Sequence, residues 1–283
     1  PTTLYVAGSS RALITEAGLP DDDPRAGWLV RLNALASARG LRNARGLPMR
    51  FEPAGPMPAN AYESTIAETG CVPTRLGGQD AWHDYFNALV WLRFPAIKQR
   101  LNALQAEAIA TAAGVVAEPP GDPSAGPGAQ ADPGLPGRVD IDPGGRSRGR
   151  LRDMLTLFDE SAALVLTDDP RCRDDLRGFA WTSLFVERRA AWRHGVQPIV
   201  VGHALLLKLW RPYKAICAQA WLAPAAASLD DADRAVAASL TVDRLAPGCL
   251  TPLPVLGVPG WWPANEQAGF YADAAVFRAG RRR

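Results

Sequence analysis

The chain is short of several features that reveal function at once. Among its 283 residues, lysine occurs only at Lys98, Lys208 and Lys214, and histidine occurs three times. The net charge of +2 is too small to favour a nucleic-acid partner. No uninterrupted apolar run reaches the ~18 residues of a membrane span, because polar residues interrupt the most apolar stretch, 195–229. The composition therefore predicts a globular protein with no strong nucleic-acid signal and no membrane span.

Recognisable cysteine and nucleotide motifs are missing as well. The four cysteines, Cys71, Cys172, Cys217 and Cys249, are far apart in sequence and form no CxxC pair. We therefore expect reduced thiols rather than a disulfide framework or a zinc site. A P-loop, a GxGxxG fingerprint and an HExxH motif do not occur. The opening residues PTTLYVAGSS lack a signal-peptide pattern, so we expect a cytoplasmic protein.

Hydrophobic periodicity predicts a helix-rich α+β fold with a small sheet that includes a β-hairpin. The first predicted helix has its apolar face at Trp28–Ala36. Further helices are predicted over Asp80–Phe94, Pro95–Gly114, Arg173–Trp192, His203–Trp210 and Asp230–Leu240. Segments with period two predict paired strands over Met154–Glu160 and Ala163–Thr167, and an apolar run predicts a short buried strand over Pro198–Val201. The proline-rich segment Leu47–Pro58 predicts a loop, and the proline-rich C-terminal segment predicts an extended arm.

One segment differs in composition from the rest of the chain. Residues 118–148 contain seven prolines and seven glycines and almost no large apolar side chain. Such a segment cannot bury enough surface to offset its ordering entropy. Because candidate site residues occur on both sides of it, we predict a flexible insertion, 118–148, within a single domain that covers residues 1–283.

Two of the three histidines stand in functional-looking contexts. His83 and Asn87 share a helix face at i, i+4 spacing, with Asp84 beside them, so they could hold a metal or orient a substrate. The alternative is that His83 caps the first turn. His203 follows Gly202 where a strand leads into a helix, and the positive helix end favours its neutral form. The alternative there is a packed structural histidine.

Acidic residues form the third candidate group. Arg152 and Asp153 precede Asp159 and Glu160, which lie at the tip of the predicted hairpin beside the turn at Ser161-Ala162. The alternatives are that Asp159 and Glu160 are simply solvated at this tip, and that Arg152 and Asp153 form an internal salt bridge. On a strand, Asp153 and Asp159 would face the same side about 20 Å apart, too far to share one ion unless the strand bends. Glu63 and Arg75 are weaker candidates.

Taken together, many short segments resemble one known family. They are Tyr62-Glu63, Val72–Arg75, His83–Trp91, Phe94-Pro95, Lys98, Asn102, Arg152-Asp153, Leu155–Glu160, Gly202–Leu205, Pro259–Trp261, Asn265, Phe270-Tyr271 and Val276–Arg278. The set resembles the bacterial family called domain of unknown function 3025, over most of Tyr62–Arg278. The resemblance implies a bacterial protein but no activity and no catalytic residues. Family members commonly carry a glycine where this chain has Ala162.

The candidate residues lead to two functional hypotheses. In the first, the protein is a metal-assisted hydrolase, because imidazoles and carboxylates suit a divalent metal that activates water. The predicted metal ligands are His83, Asp84 and His203. The predicted catalytic carboxylates are Asp153, Asp159 and Glu160, with Asp159 or Glu160 as the general base, and the predicted substrate-binding residues are Arg152 and Asn87.

In the second hypothesis, the protein is a non-enzymatic module that binds a protein or a ligand, and the polar residues form a structural network. The distance between His83 and His203 separates the two hypotheses. A separation above about 10 Å would prevent one metal from bridging the two imidazoles.

Overall fold

A computed structural model describes residues 27–58, 61–78, 80–116 and 149–280. The helices are α1 (Trp28–Ala38), α2 (Ala61–Thr69), α3 (Asp80–Arg93), α4 (Pro95–Val116), α5 (Arg150–Ser161), α6 (Pro170–Arg177), α7 (Ala191–His194), α8 (His203–Trp210) and α9 (Leu229–Ser239). The strands are β1 (Arg50–Pro53), β2 (Cys71–Thr74), β3 (Ala162–Leu166), β4 (Gln197–Val200), β5 (Cys217–Ala223) and β6 (Thr251–Pro254). The fold is helix-rich α+β, as predicted. The predicted insertion at 118–148 lies outside the described residues.

A four-stranded mixed sheet lies at the centre of the described structure. Its strand order is β4-β3-β5-β6, with β3 antiparallel to β4 and parallel to β5. All five residues of β3 are buried, as expected for a strand covered on both faces. A second sheet consists of the parallel strands β1 and β2. The core that surrounds these sheets extends from Trp28 to Phe277.

Several helices begin and end where local sequence signals placed them. The chain leaves α3 at Arg93, just before Pro95 starts α4, because proline disfavours helix in the preceding residue. Helix α8 has the predicted bounds. Helix α9 begins after Ser228, whose side chain accepts a hydrogen bond from the Asp231 N–H at 3.1 Å.

The predicted hairpin over Met154–Thr167 is wrong in its first half. Residues 150–161 form helix α5, and only β3 is a strand; its antiparallel partner is β4, which confirms the strand predicted at Pro198–Val201. Leu155 and Phe158 are the fully buried residues of α5, and their spacing fits one face of a helix. The short apolar run also fitted period two, which is the usual ambiguity for such segments.

Two further predictions need correction. The helix predicted over Arg173–Trp192 is interrupted: α6 ends at Arg177, Phe179 has a φ of 57°, and Ser183–Glu187 form a π-helical turn. The proline-rich loop contains β1, and the predicted C-terminal arm contains β6 followed by short 3-10 helices. Pairing with partners distant in sequence decided these strands, and local patterns carry no such information.

Within the described ranges, no helix combines the length and the apolar content that crossing a bilayer requires.

Candidate functional site

The imidazoles of His83 and His203 lie against each other. His83 comes from the first turn of α3, and His203 is the first residue of α8. Their ring centroids are 4.5 Å apart and the ring planes meet edge to face, at 81°. The His83 side chain is 30% exposed and the His203 side chain is 5% exposed. One imidazole is therefore open to solvent, and the second lies directly behind it.

The carboxylate of Asp84, which already accepts several hydrogen bonds, orients the more exposed imidazole, that of His83. Nδ1 of His83 lies 3.2 Å from Oδ1 of Asp84. The Arg75 guanidinium donates to both Asp84 oxygens, from Nε at 2.9 Å and from Nη2 at 2.7 Å, and the Arg75 backbone N–H donates to Oδ2 at 2.7 Å. Burial opposes ionisation of Asp84, but these hydrogen bonds outweigh it and lower its pKa to about 2. Asp84 is therefore a fixed anion that orients His83.

The buried imidazole, that of His203, faces a second carboxylate, that of Asp159. Nδ1 of His203 lies 3.6 Å from Oδ2 of Asp159, which is longer than a hydrogen bond. Asp159 in turn pairs with Lys98, whose Nζ lies 2.5 Å from Oδ1. Burial lowers the pKa of His203 to about 4, against the opposing effect of Asp159. Burial opposes ionisation of Asp159, but the charge and hydrogen bond of Lys98 together with the neighbouring imidazoles outweigh it and lower its pKa. At neutral pH, His203 is uncharged and Asp159 is an anion.

A close backbone contact brings His203 to Asp159. The N–H groups of Val201 and Gly202 both donate to the carbonyl of Ala162, at 3.1 and 2.9 Å. This contact sets the start of α8 against the end of α5. Gly202 has no side chain to separate the two helices, and a Cβ there would lie 2.6 Å from three backbone atoms of residues 160–162.

A narrow crevice, too tight to hold a water molecule, lies on the other side of Asp159. Its lining is Tyr62, Glu63, Ile66, Trp91, Lys98, Leu101, Asn102, Gln105 and Asp159. Asn102 donates to the Glu63 carboxyl at 2.6 Å, and Asn87 donates to the Tyr62 hydroxyl at 2.8 Å. Residues on four different helices thus converge on Asp159 and the crevice.

The predicted site residues fall into two groups. The structure brings together His83, Asp84, Asn87, Asp159 and His203. Asp153 and Glu160 instead lie exposed on α5 and outside this cluster, because the helix turns them away from Asp159. Arg152, on the same helix, is half-buried, and its charge lowers the pKa of Glu63.

The most central residue that was not predicted to belong to the site is Lys98, which appears in the sequence only within the set of residues that resembles the family. It is 4% exposed and lies on α4 among the buried residues Ile97 and Leu101. The available signal was a lone charged residue on an apolar helix face, since lysine is almost never fully buried unless it is paired. Its partner, Asp159, is 61 positions away in the sequence. The strand predicted over Met154–Glu160 also gave Asp159 the wrong surroundings, because these residues belong to helix α5.

The predicted metal ligands do not fit a metal in this arrangement. Both oxygens of Asp84 accept hydrogen bonds from Arg75, so the carboxylate is occupied on the side of the guanidinium. In the part of the chain that the structure describes, no group of three or more His, Cys, Asp or Glu side chains has a geometry that could hold a metal ion. We therefore derive no chemical step through a metal.

Comparison with protein families agrees with the resemblance seen in the sequence. The family model described as "Protein of unknown function (DUF3025)" matches residues 49–119 and 138–281, which is most of the chain. The chain belongs to this family. All the residues of the cluster and the crevice lie within the matched parts of this DUF3025 protein. Comparisons with curated proteins and with solved structures found no match.

The titration of His203 in the DUF3025 protein can be observed directly. We expect its imidazole to titrate with a pKa of about 4, because burial disfavours the cation. Asp159→Asn should lower that pKa further, because it removes the carboxylate that favours the charged ring. NMR spectra of the histidine ring protons over a pH series measure both values, and His203→Gln assigns the signal. A midpoint near 6.5 would contradict the burial of this ring.

The same shift predicts a dependence of stability on pH. The pKa of His203 lies below its ordinary value of 6.5 in the folded protein, so the unfolded chain binds the proton more tightly between pH 4 and 6.5. The contribution of His203 to stability is present above pH 6.5 and is lost as the pH falls to 4, by about 3 kcal/mol. His203→Gln should flatten this dependence in urea unfolding, whereas His194→Gln, at an exposed position, should leave it unchanged.

Proposed function

We propose that this protein is a metal-independent hydrolase in which His83 is the general base. The observation that carries the proposal is the meeting of two imidazole–carboxylate pairs, His83 with Asp84 and His203 with Asp159, at a ring separation of 4.5 Å. One ring of the pair is open to solvent. Buried clusters of titratable groups beside an open histidine are typical of active sites.

His83 is suited to the role of base for two reasons. Nδ1 faces Asp84 at 3.2 Å, so this nitrogen carries the proton that the carboxylate accepts, and Nε2 is left to take a proton from water. The side chain is 30% exposed, so water and a substrate can reach it. Asp84 is a positioning residue, because it orients the ring and stabilises the imidazolium that forms.

His203 adds no positive charge beside His83. At neutral pH it is uncharged, so it does not repel an imidazolium at His83. Asp159 lies behind it and supplies a negative charge on the same side of the cluster. In the proposed step, water loses a proton to His83 and the hydroxide attacks a carbonyl carbon or a phosphorus atom. Arg152 and Asn87 stay the candidates for substrate contacts.

A structural network is the second candidate, and one observation favours it. The buried Lys98–Asp159 ion pair joins α4 to α5, and the hydrogen bonds from Asn102 to Glu63 join α4 to α2. Such links would hold the helices together in a protein that binds a partner without catalysing a reaction. Under this reading, His83 could be replaced with no effect on any hydrolysis.

A hydrolysis panel separates the two candidates. The purified protein is incubated with p-nitrophenyl butyrate, p-nitrophenyl phosphate and bis(p-nitrophenyl) phosphate, with and without EDTA. We expect hydrolysis of one class that is insensitive to EDTA and that falls by about 10²–10⁴-fold in His83→Ala, the range for loss of a general base. His194→Ala is the matched control, since His194 is exposed on α7, and should retain the activity.

Each other outcome of the panel has a clear meaning. Activity that EDTA removes would restore the metal-assisted mechanism predicted from the sequence. Activity that survives in His83→Ala would assign it to a contaminant or to another site. Absence of hydrolysis across the panel, with a folded protein, would favour the structural network.

A further inference from the structure

Arg75 holds a guanidinium in a fixed direction at the surface, next to His83. Its side chain is 46% exposed, whereas that of its partner Asp84 is 10% exposed. The backbone N–H, Nε and Nη2 of Arg75 all donate to Asp84. The largely buried carboxylate therefore fixes an exposed cation, which lowers the entropy cost of binding a ligand there. The proposed function gives this cation no role.

One oxygen atom joins Arg75 to His83. Oδ1 of Asp84 lies 2.7 Å from Nη2 of Arg75 and 3.2 Å from Nδ1 of His83. Because both nitrogens contact the same oxygen, they are at most about 6 Å apart. A substrate atom that water attacks stands about 3–3.5 Å from that water. A group bound to Arg75 is therefore within the span of one small substrate from a water molecule at His83.

The outer edge of this guanidinium has only a weakly held partner. A guanidinium presents two forks of N–H groups, and Asp84 takes the side fork, formed by Nε and Nη2. In the described part of the chain, the end fork, formed by Nη1 and Nη2, has one further contact, Oδ2 of Asp80 at 2.7 Å from Nη1. The Asp80 side chain is 64% exposed, and a surface ion pair of this kind contributes little. A ligand anion can therefore displace Asp80 from the end fork.

A phosphate group fits the end fork better than Asp80 does. Two oxygens of one phosphate match the two nitrogens of the fork, and both hydrogen bonds are charge-assisted. A phosphate monoester carries about −1.5 to −2 charges at pH 7, against one negative charge for a carboxylate. Phosphate is therefore favoured over Asp80 and over a carboxylate of a ligand.

From this geometry we infer that Arg75 binds the phosphate of the substrate, and that the hydrolase acts on phosphate monoesters. The inference rests on the proposed function. In the step, His83 takes a proton from water, the water oxygen forms a bond to phosphorus, and the bond between phosphorus and the leaving oxygen breaks. The leaving oxygen keeps the electron pair and takes a proton from solvent, while His83 returns its proton to solvent. Arg75 holds two oxygens on phosphorus throughout, and Asp80 occupies the fork while no substrate is bound.

Binding of inorganic phosphate tests the site without any activity. Phosphate is titrated into the protein at constant ionic strength, and the His83 ring protons are followed by NMR, with His83→Gln to assign them. We expect a saturable shift in the wild type. Arg75→Lys keeps a cation beside Asp84 but loses the fork, so it should raise the dissociation constant by about tenfold or more. Sodium acetate at the same concentration should give no saturable shift.

Asp80→Asn distinguishes a ligand site from a structural ion pair. Removal of the competing carboxylate should lower the phosphate dissociation constant by about two- to fivefold, the factor that corresponds to a surface ion pair. A purely structural Arg75 would gain nothing from this change. Asp230→Asn is the matched control, because Asp230 also lies exposed in the first turn of a helix, 2.8 Å from Nη1 of Arg93. It should leave phosphate binding unchanged.

The hydrolysis kinetics should change in the same direction. Of the three compounds in the panel, p-nitrophenyl phosphate should be the one that is hydrolysed. With this compound, Asp80→Asn should lower KM by about two- to fivefold and leave kcat unchanged, since Asp80 only competes for the fork. Arg75→Lys should lower kcat/KM by about tenfold or more.

The outcomes separate this inference from the proposed function. Hydrolysis of p-nitrophenyl butyrate or of the diester alone, lost in His83→Ala, would overturn the assignment to phosphate monoesters and leave the proposed function intact. A phosphate affinity that Arg75→Lys and Asp80→Asn leave unchanged, or an equal response to acetate, would also overturn it. Failure of the whole panel would overturn both, because phosphate bound at Arg75 would then undergo no reaction. Tighter phosphate binding in Asp80→Asn, together with hydrolysis of the monoester, would support the inference.

Discussion

Lys98→Met is expected to lower the free energy of unfolding by about 3–5 kcal/mol, the usual loss when one partner of a buried ion pair is removed. The Lys98 and Asp159 side chains are 5% and 13% exposed, so the remaining carboxylate would have little access to water. Lys98 also lies over the Trp91 ring, 5.3 Å from its centroid, and that contact would be lost too. Urea unfolding at pH 7 measures the change.

Two further variants make this result specific. Lys208→Met removes an exposed lysine and should stay within about 0.5 kcal/mol of the wild type. The double variant Lys98→Met/Asp159→Asn should regain at least half of the loss, because it removes the uncompensated charge. A loss below about 1 kcal/mol for Lys98→Met would mean that the pair behaves like one at the surface, and would contradict the buried arrangement.

Gly202→Ala should be the second large effect, with a loss of about 3 kcal/mol from overpacking. The added Cβ would lie 2.6 Å from Glu160 O, Ser161 N and Ala162 N. These are backbone atoms at the junction of α5 and β3, so no side chain can rotate away, and α8 must move from α5. Because His203 follows directly, the contact between its imidazole and Asp159 should lengthen and its NMR titration should change.

Gly195→Ala is the matched control for this substitution. A Cβ at Gly195 meets only the carbonyl of Ala191, at 3.6 Å, which is an ordinary contact, and its φ of −126° suits any residue. We expect this variant to unfold like the wild type. If Gly202→Ala were equally stable, the approach of α8 to α5 would be looser than the structure has it, and the placement of His203 would need revision.

Both predictions concern the place where α8 packs against the end of α5. Some of its features could be predicted from the sequence and others could not. Helix α8 was predicted with its bounds, because Gly202 and Pro212 bracket a short apolar run. The role of Gly202 was not visible, because the atoms it must avoid belong to residues 160–162. In the sequence, Gly202 stands only as the residue between a strand and a helix, whereas the structure needs it for a close approach of two backbones.

Helix α5 is the element that the local sequence pattern predicted least well. Its apolar residues fitted a strand of period two as well as a helix, and the turn expected at residues 161–162 favoured the hairpin. That choice put Asp159 at a solvated tip, whereas the helix buries it beside Lys98 and His203. Because a strand was predicted where the chain forms a helix, the predicted surroundings of Asp159 were wrong.

The sequence by itself determined the helix-rich α+β class, the bounds of α3, α4, α8 and α9 to within two residues, the family and the identity of His83, Asp84, Asn87, Asp159 and His203 as candidates. These depend on local signals such as caps, prolines, periodicity and rare residue types, which act over a few positions. Only the tertiary structure decided that the two imidazoles touch, that Lys98 is the partner of Asp159, that Asp153 and Glu160 stay outside, and that Glu63 faces the crevice. The physical reason is that charge, burial and hydrogen bonding at the site depend on pairs such as Asn87 with Tyr62, 25 positions apart, and His83 with His203, 120 positions apart. Their proximity is a property of packing that no local pattern records.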